Sequence, residues 1–385
     1  MFYWLLLIIL VLSSFIEISV NSRNLLQKQE INLKRIIFIY LSGYMFCIVA
    51  FRYKTGRDYY TYMLFFDDCL KNAKTYNFEI GFIFINIIFK ELFDNFFILQ
   101  IFICIYCCKY IYGNLYKYSE FPFFSLLLYF LLYFFVTDMA ITRQTIAIAI
   151  VSYGIKFIKQ KKFLNWVLTI IIACSFHQSA LLAFPIYFTL NRVISAKTCI
   201  ILFFVLIYSF LFSRGFITII LDVLERLSGL PKIFSDRLYY YYSSSTFNKK
   251  NSLGSGLGVI FELSVVAYLC FKYIISKDKN KYYFLNYLIG SIFNLSANNF
   301  GILGRFGIYY MVSGLGLLGY NLFFSDKNFY KKTSIIKQII FFGFIGIKLY
   351  MFFDMWNRPS SLAFDHGHTF QDDYLPYKCF LLENN

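Results

Sequence analysis

Long apolar runs alternate with short basic loops and with longer loops of mixed polarity along this 385-residue chain. About 20 apolar residues are needed for a helix to span hydrocarbon, and about twelve segments come near that length. The clearest are Met1–Val20, Leu33–Phe51, Asn95–Leu115, Phe121–Thr137, Met139–Ile158, Phe163–Phe176, Thr198–Ser213, Gly254–Ile275, Tyr282–Asn298, Phe306–Phe324 and Lys337–Phe353. A shorter stretch, Gln178–Leu190, contains Pro185 and forms a helical pair with the segment before it. Glu79–Asp94 is apolar but short and ends in Lys90, Glu91 and Asp94, so it reads as re-entrant or interfacial. The opening segment lacks the basic start and small-residue cleavage site of a signal peptide. The expected fold is all-α, a polytopic membrane helical bundle forming one membrane domain over residues 1–385.

The polar positions orient the bundle. Short loops hold Arg23, Lys28, Lys34 and Arg35, then Lys109 and Lys117, then Lys156, Lys159, Lys161 and Lys162, and the alternation continues to Lys327, Lys331 and Lys332. Lys and Arg collect in loops that stay inside the cell, so these face the cytoplasm and both termini face out. The other loops are longer and rich in Tyr, Asn, Ser and Asp: residues 52–78, residues 214–253 with an amphipathic portion at Ile217–Leu227, and the tail 354–385. Loops on a rigid scaffold are where function concentrates.

Composition sharpens this picture. Hydrophobic residues make up 59% and charged ones 15%, against about 25% charged in a soluble domain. The chain is therefore solvated mostly by lipid. Tyr, abundant here at 34 residues, favours the membrane–water boundary. The net charge of +16 would suggest nucleic acid in a soluble protein. Here the cytoplasmic loops account for it, and no nucleic-acid partner is expected.

Ionisable residues gather at segment ends on the outward side. Arg52, Arg57 and Asp58 follow the second span, and Asp138 and Arg143 flank the turn between two spans. His177 interrupts an apolar hairpin, Arg214 closes a span, and Arg305 sits in the glycine-rich break NNFGILGRFG. Charges at a bilayer normally face a wet cavity or a partner. Each one alone also fits an interfacial anchor or a structural ion pair. Together, several arginines around an outward cavity suit a diphosphate, because Arg stays charged and binds phosphate oxygens bidentately.

Other chemistry is excluded or weak. GSGLG at Gly254–Gly258 lacks the preceding strand of a dinucleotide site, so no cofactor is expected. Asp365-His366-Gly367-His368 supplies metal-ligand residue types with nothing to fix their geometry, and no metal is expected.

The string Arg52-Tyr53-Lys54-Thr55-Gly56-Arg57-Asp58-Tyr59-Tyr60-Thr61-Tyr62 resembles the R-x-x-x-G-x-D-Y-x-x-Y signature of the EpsG family. Glu79-Ile80-Gly81-Phe82, Thr142-Arg143-Gln144-Thr145, Ser175-Phe176-His177-Gln178, Arg305-Phe306-Gly307 and Leu375-Pro376-Tyr377 follow in the same order. The resemblance spans nearly the whole chain. It implies a polysaccharide polymerase of the Wzy type in a bacterial inner membrane, building O-antigen, capsule or exopolysaccharide. Its partner would be an undecaprenyl-diphosphate-linked oligosaccharide in membrane lipid, with a chain-length regulator as a further candidate. By analogy the fold resembles the lipid-dependent GT-C-like glycosyltransferases.

Glycosyl transfer from such a donor needs a base for the acceptor hydroxyl and cations for the departing diphosphate. A positioned base contributes roughly 10²–10⁴-fold. His177, the only histidine embedded among spans, is the first candidate base, since imidazole titrates near neutral pH; a histidine bonded inside a helix hairpin is the alternative. Asp58 competes with it, or holds Arg57 or Arg143 in place, and Glu79 is third. Arg143, Arg305 and Arg52 are the diphosphate candidates, with Arg57 beside them, and Arg214 belongs to the acceptor region. Tyr59 and Tyr62 either stack on sugar rings or anchor the interface. Two other classes stay open: a flippase or transporter of lipid-linked glycans, and an envelope O-antigen ligase or acyltransferase.

Overall fold

The computed structural model describes residues 2–21, 28–56, 58–140, 142–212, 256–275, 281–297, 302–324 and 334–357, together with residues 374 and 377. All regular elements among these residues are helical. The chain divides into two compact units. The first contains Met1–Gly154, Leu168–His177 and Asp326–Asn385, and the second contains Ile155–Val167 and Gln178–Ser325.

In the first unit, α1 (Phe2–Asn21), α2 (Lys28–Ala50), α5 (Phe96–Tyr118), α6 (Pro122–Tyr129), α14 (Ser334–Trp356) and the part of α7 (Thr142–Lys159) up to Gly154 supply most of the length. α1 packs against α2, α6 and α14, and α2 against α5. The start of α6 is capped from a distance. A helix start leaves backbone N–H groups unpaired, and Pro122 fits the first turn because it has none to lose. The amides of Phe123 and Phe124 donate to one Glu17 carboxylate oxygen at 2.9 and 3.1 Å. Lys34 Nζ meets the other at 2.5 Å. α6 then widens into a π turn at Phe130–Phe134.

Between α2 and α5 lies a helical hairpin of α3 (Tyr59–Asn72) and α4 (Ile80–Phe93). Each has 14 residues, about 21 Å at 1.5 Å per residue. The hydrocarbon layer is about 30 Å thick, so each helix is shorter than the layer. The ends of the excursion meet. Gln100 Nε2 donates to the carbonyls of Val49, Ala50 and Arg52 at 3.2, 2.7 and 3.0 Å. The Phe51 and Phe97 rings lie 5.8 Å apart. The hairpin therefore leaves and rejoins the bundle at one level, as the short, charge-ended pattern of Glu79–Asp94 implies. The tail returns to the same end: Tyr377 donates to Ile48 O at 2.9 Å, and buried Tyr374 donates to Phe135 O at 2.9 Å.

The second unit contains α9 (Ile186–Thr189), α10 (Ala196–Leu211), α11 (Leu257–Ile275), α12 (Lys281–Ser296) and α13 (Ile302–Ile308). α13 runs into a π turn at Tyr309–Ser313 and then, across Gly314 and Leu315, into a 3-10 helix at Gly316–Phe323. The break bends the path by 68°. Leu315 adopts φ +59, a left-handed conformation uncommon for a side chain of that size. Asn286 secures it by donating to Gly314 O at 2.8 Å.

Four of the described helices are long and apolar enough to cross a membrane: Phe2–Ser19, Asn32–Ala50, Phe96–Tyr118 and Leu257–Ile275. The bent pair would make a fifth, and Pro122–Phe134, Phe163–Cys174 and Ala196–Leu211 are shorter apolar helices. Several spans expected from the sequence begin late or break. Met139–Ile158 becomes helical at Thr142, and Gln178–Leu190 is a 3-10 turn followed by the four residues of α9. The loop 214–253, including Ile217–Leu227, and most of the tail 354–385 lie outside the described residues.

Candidate active site at the helical hairpin

The first unit gathers four charged or phenolic side chains where the hairpin meets the start of α7. Glu79 precedes α4, and Arg143 stands in the first turn of α7. The Arg143 guanidinium donates through Nη1 to the Glu79 carboxylate. It also lies 4.3 Å from the centroid of the Phe78 ring, within the range of a cation–π contact. Its Nε is buried and finds no partner among the described residues. The Tyr62 phenol lies beside the Arg143 guanidinium, whose charge acts on it, and its hydroxyl lies 3.5 Å from Asp58 Oδ2. Burial first, then the Asp58 carboxylate, pushes the Tyr62 phenol up. It is therefore a protonated donor at neutral pH. Asp58, Tyr62, Arg143 and Glu79 thus form one chain of polar contacts.

Two glycines bring these segments together. Gly56 has φ +105, and a Cβ there would run into the Met139 carbonyl oxygen. A left-handed turn tightened against backbone requires glycine. Gly81 donates its N–H to Ser175 O at 2.7 Å, and a Cβ there would collide with Ser175. Ser175 begins the turn after α8 (Phe163–Cys174) that leads to His177. The half-buried His177 therefore stands two residues from the point where that turn is bonded to α4.

Arg52 does different work from Arg143. It is 4% exposed, and its Nη1 donates to Asp138 O at 2.8 Å. Nη2 reaches Thr142 Oγ1 at 3.4 Å. Its guanidinium holds the turn from which α7 departs, which sets where Arg143 points. Asp138 is buried beside it and accepts from Tyr112 at 2.5 Å and Tyr129 at 2.7 Å. The cavity that Arg52, Tyr112 and Asp138 line measures only about 30 Å³, room for about one water. Tyr59 and Tyr62 are also buried, with ring centroids 5.6 Å from Phe96 and 5.3 Å from Phe82 respectively. Their rings serve the packing of the hairpin, and their hydroxyls are the parts left for polar contact.

Of the residues singled out in the sequence, Asp58, Tyr62, Glu79 and Arg143 come together, with Arg52 and Tyr59 directly behind them. Arg305 belongs to the second unit, half-buried on α13, where Gly307 packs tightly against Asn294. Arg57 and Arg214 lie outside the described residues, as does the run 365–368. Sequence reasoning passed over Gln100, Tyr112 and Tyr129. Gln100 and Tyr112 act on residues tens of positions away, and Tyr129 reaches Asp138 nine positions on across the π turn, which no local pattern announces.

An all-helical, multi-pass membrane protein with a carboxylate–arginine–tyrosine cluster at its helix ends is the class these features define. The chain belongs to the EpsG family, whose model it matches over residues 35–378. That family gives it a polysaccharide polymerase-like role, of the membrane glycosyltransferase kind. No curated protein and no solved structure matches the chain.

Proposed function

We propose that this protein joins lipid-linked oligosaccharide repeat units at the outer face of a bacterial inner membrane, taking the glycan from undecaprenyl diphosphate. The observation that carries the reading is the Asp58–Tyr62–Arg143–Glu79 chain, built inside the segment matched to the family. In the transfer, an acceptor sugar hydroxyl attacks the anomeric carbon of the donor. The bond from that carbon to the diphosphate oxygen breaks, and the electron pair leaves with the diphosphate. The hydroxyl proton passes to a base.

Roles divide according to what each side chain already holds. Glu79 is engaged by Arg143, so it positions the guanidinium rather than removing a proton. Arg143, held by Glu79 with its side chain 21% exposed, faces the departing diphosphate. A fixed donor aimed at developing charge is worth about 10²–10³-fold. His177 is the base, with Asp58 as the competing assignment. Arg305 and Arg214 are the further cations to be tested, for the diphosphate and for the acceptor respectively.

The test is polymerisation in cells carrying Arg143→Ala, Arg305→Ala or His177→Ala, read as surface glycan length on a gel with membrane expression measured in parallel. Expressed variants that accumulate single repeat units support the reading. Long chains from all three overturn the site. Normal chain length with reduced export in a deletion strain overturns polymerisation in favour of transport.

A further inference from the structure

A second cavity in the first unit, about 280 Å³, lies between α4, α5, α7 and α8. That is near the lower end of small-molecule pockets, roughly 300 Å³, and its wall is almost wholly apolar. Ile146, Ile150 and Tyr153 line it from α7. They follow Arg143 at spacings of three, four and three residues, so all four share one helix face. From Arg143 to Tyr153 is about 15 Å at 1.5 Å per residue. On α8 and the turn beyond it, Thr169, Ile172 and Phe176 repeat the spacing and lead to His177. Ile85 adds a wall from α4, a turn and a half after Glu79.

The cavity therefore has a polar end and a closed end. Glu79, Arg143 and His177 stand where the three linings begin or finish. At the other end the rings of Tyr106, Tyr110 and Tyr153 meet at 4.7 and 5.0 Å. Phe102 and Ile172, both on the wall, are 49% and 53% exposed, so the groove opens sideways to lipid. Its occupant must place an anionic head beside a guanidinium and thread one narrow hydrocarbon chain inward.

We propose that this groove seats the first isoprenoid units of the diphosphate carrier, the rest of the tail leaving between Phe102 and Ile172. The proposal rests on the polymerase reading and adds to it where the lipid of the donor lies. Binding energy from this remote part of the substrate would hold the anomeric carbon at the base and the diphosphate at Arg143.

The experiment uses the full-length protein in lipid nanodiscs, with undecaprenyl diphosphate as probe and bound lipid counted by native mass spectrometry. Ile150→Trp fills the groove and is expected to weaken binding about tenfold, equivalent to about 1.4 kcal/mol. Ile171→Trp, on an α8 position that is 59% exposed and outside the groove lining, should bind as wild type. On the wild-type protein, farnesyl diphosphate should displace the probe, while inorganic pyrophosphate and dioleoylphosphatidylglycerol should not. That competition needs no variant, so it stands even where Ile150→Trp misfolds. Unchanged binding to a folded Ile150→Trp, or equal displacement by phosphatidylglycerol, overturns the groove. The polymerase reading survives that result if Arg143→Ala cells still accumulate single repeats. Failure of the wild type to bind the probe, with long chains from Arg143→Ala, overturns both.

Discussion

Two buried carboxylates of the first unit, Glu17 and Glu79, look alike in the sequence and do opposite things. Each ends an apolar stretch or begins one, and each is paired with a cation, Lys34 in one case and Arg143 in the other. Glu17 has its oxygens used up by Lys34 and two amides of a helix start, Phe123 and Phe124. Its neighbours leave nothing for a substrate. Glu79 holds a guanidinium, a planar group with five N–H donors, and a phenol stands alongside. A charge in a membrane protein is thus better read by what remains free on its partner than by its depth.

The comparison can be broken in four ways, in order of expected effect. Glu17→Ala leaves Lys34 unpaired and two amides uncapped, which should destabilise the fold by about 3–5 kcal/mol. Thermal unfolding of the detergent-solubilised protein measures this, and the specific activity of whatever remains folded should be unchanged. An unaltered melting temperature would remove Glu17 from the structural side of the contrast. Next, the pair Arg143→Met with Glu79→Gln removes charge from both partners and so avoids a stranded ion. It should leave the protein folded while polymerisation falls about 10²-fold. Arg143→Lys should not restore it, since a point charge does not replace a planar fork.

Gly56→Ala comes third. The left-handed φ and the nearby Met139 carbonyl should cost about 1–3 kcal/mol. Melting temperature and glycan length should fall together, because the Arg52 loop moves with the turn. A glycan defect without loss of stability would mean the glycine is needed for something other than the turn. The smallest effect belongs to Tyr62→Phe, which removes one hydroxyl from a contact chain worth about 1 kcal/mol. Chain length should shorten modestly, and no change at all would detach Tyr62 from the cluster.

Much of this was legible in the sequence. The apolar runs specify helices, and the shortness and charged end of Glu79–Asp94 set it apart from them as a re-entrant or interfacial stretch. The ordered motifs around Arg52, Asp58, Glu79 and Arg143 mark residues that the fold brings into contact. The division of labour among them was hidden. That Glu79 is spent on Arg143, or that Arg52 is turned inward to Asp138 O, depends on contacts 64 and 86 positions apart. Likewise the widened turns at Phe130–Phe134 and Tyr309–Ser313 leave no mark in a hydrophobic run, since every position there is apolar or small. Glu17 as a cap for α6 is a pairing across more than a hundred residues, so its sequence reads only as a charge near the end of a span.

The shortness of α3 and α4 has a consequence for biogenesis. Helices of this length are marginal on their own in water and too short to insert on their own, so they acquire structure only once α2 and α5 stand side by side to receive them. The Arg143–Glu79 cluster is then the last part of the first unit to mature. A chain can be fully inserted, correctly oriented and abundant in the membrane while its hairpin remains undocked and Arg143 has no Glu79 to meet.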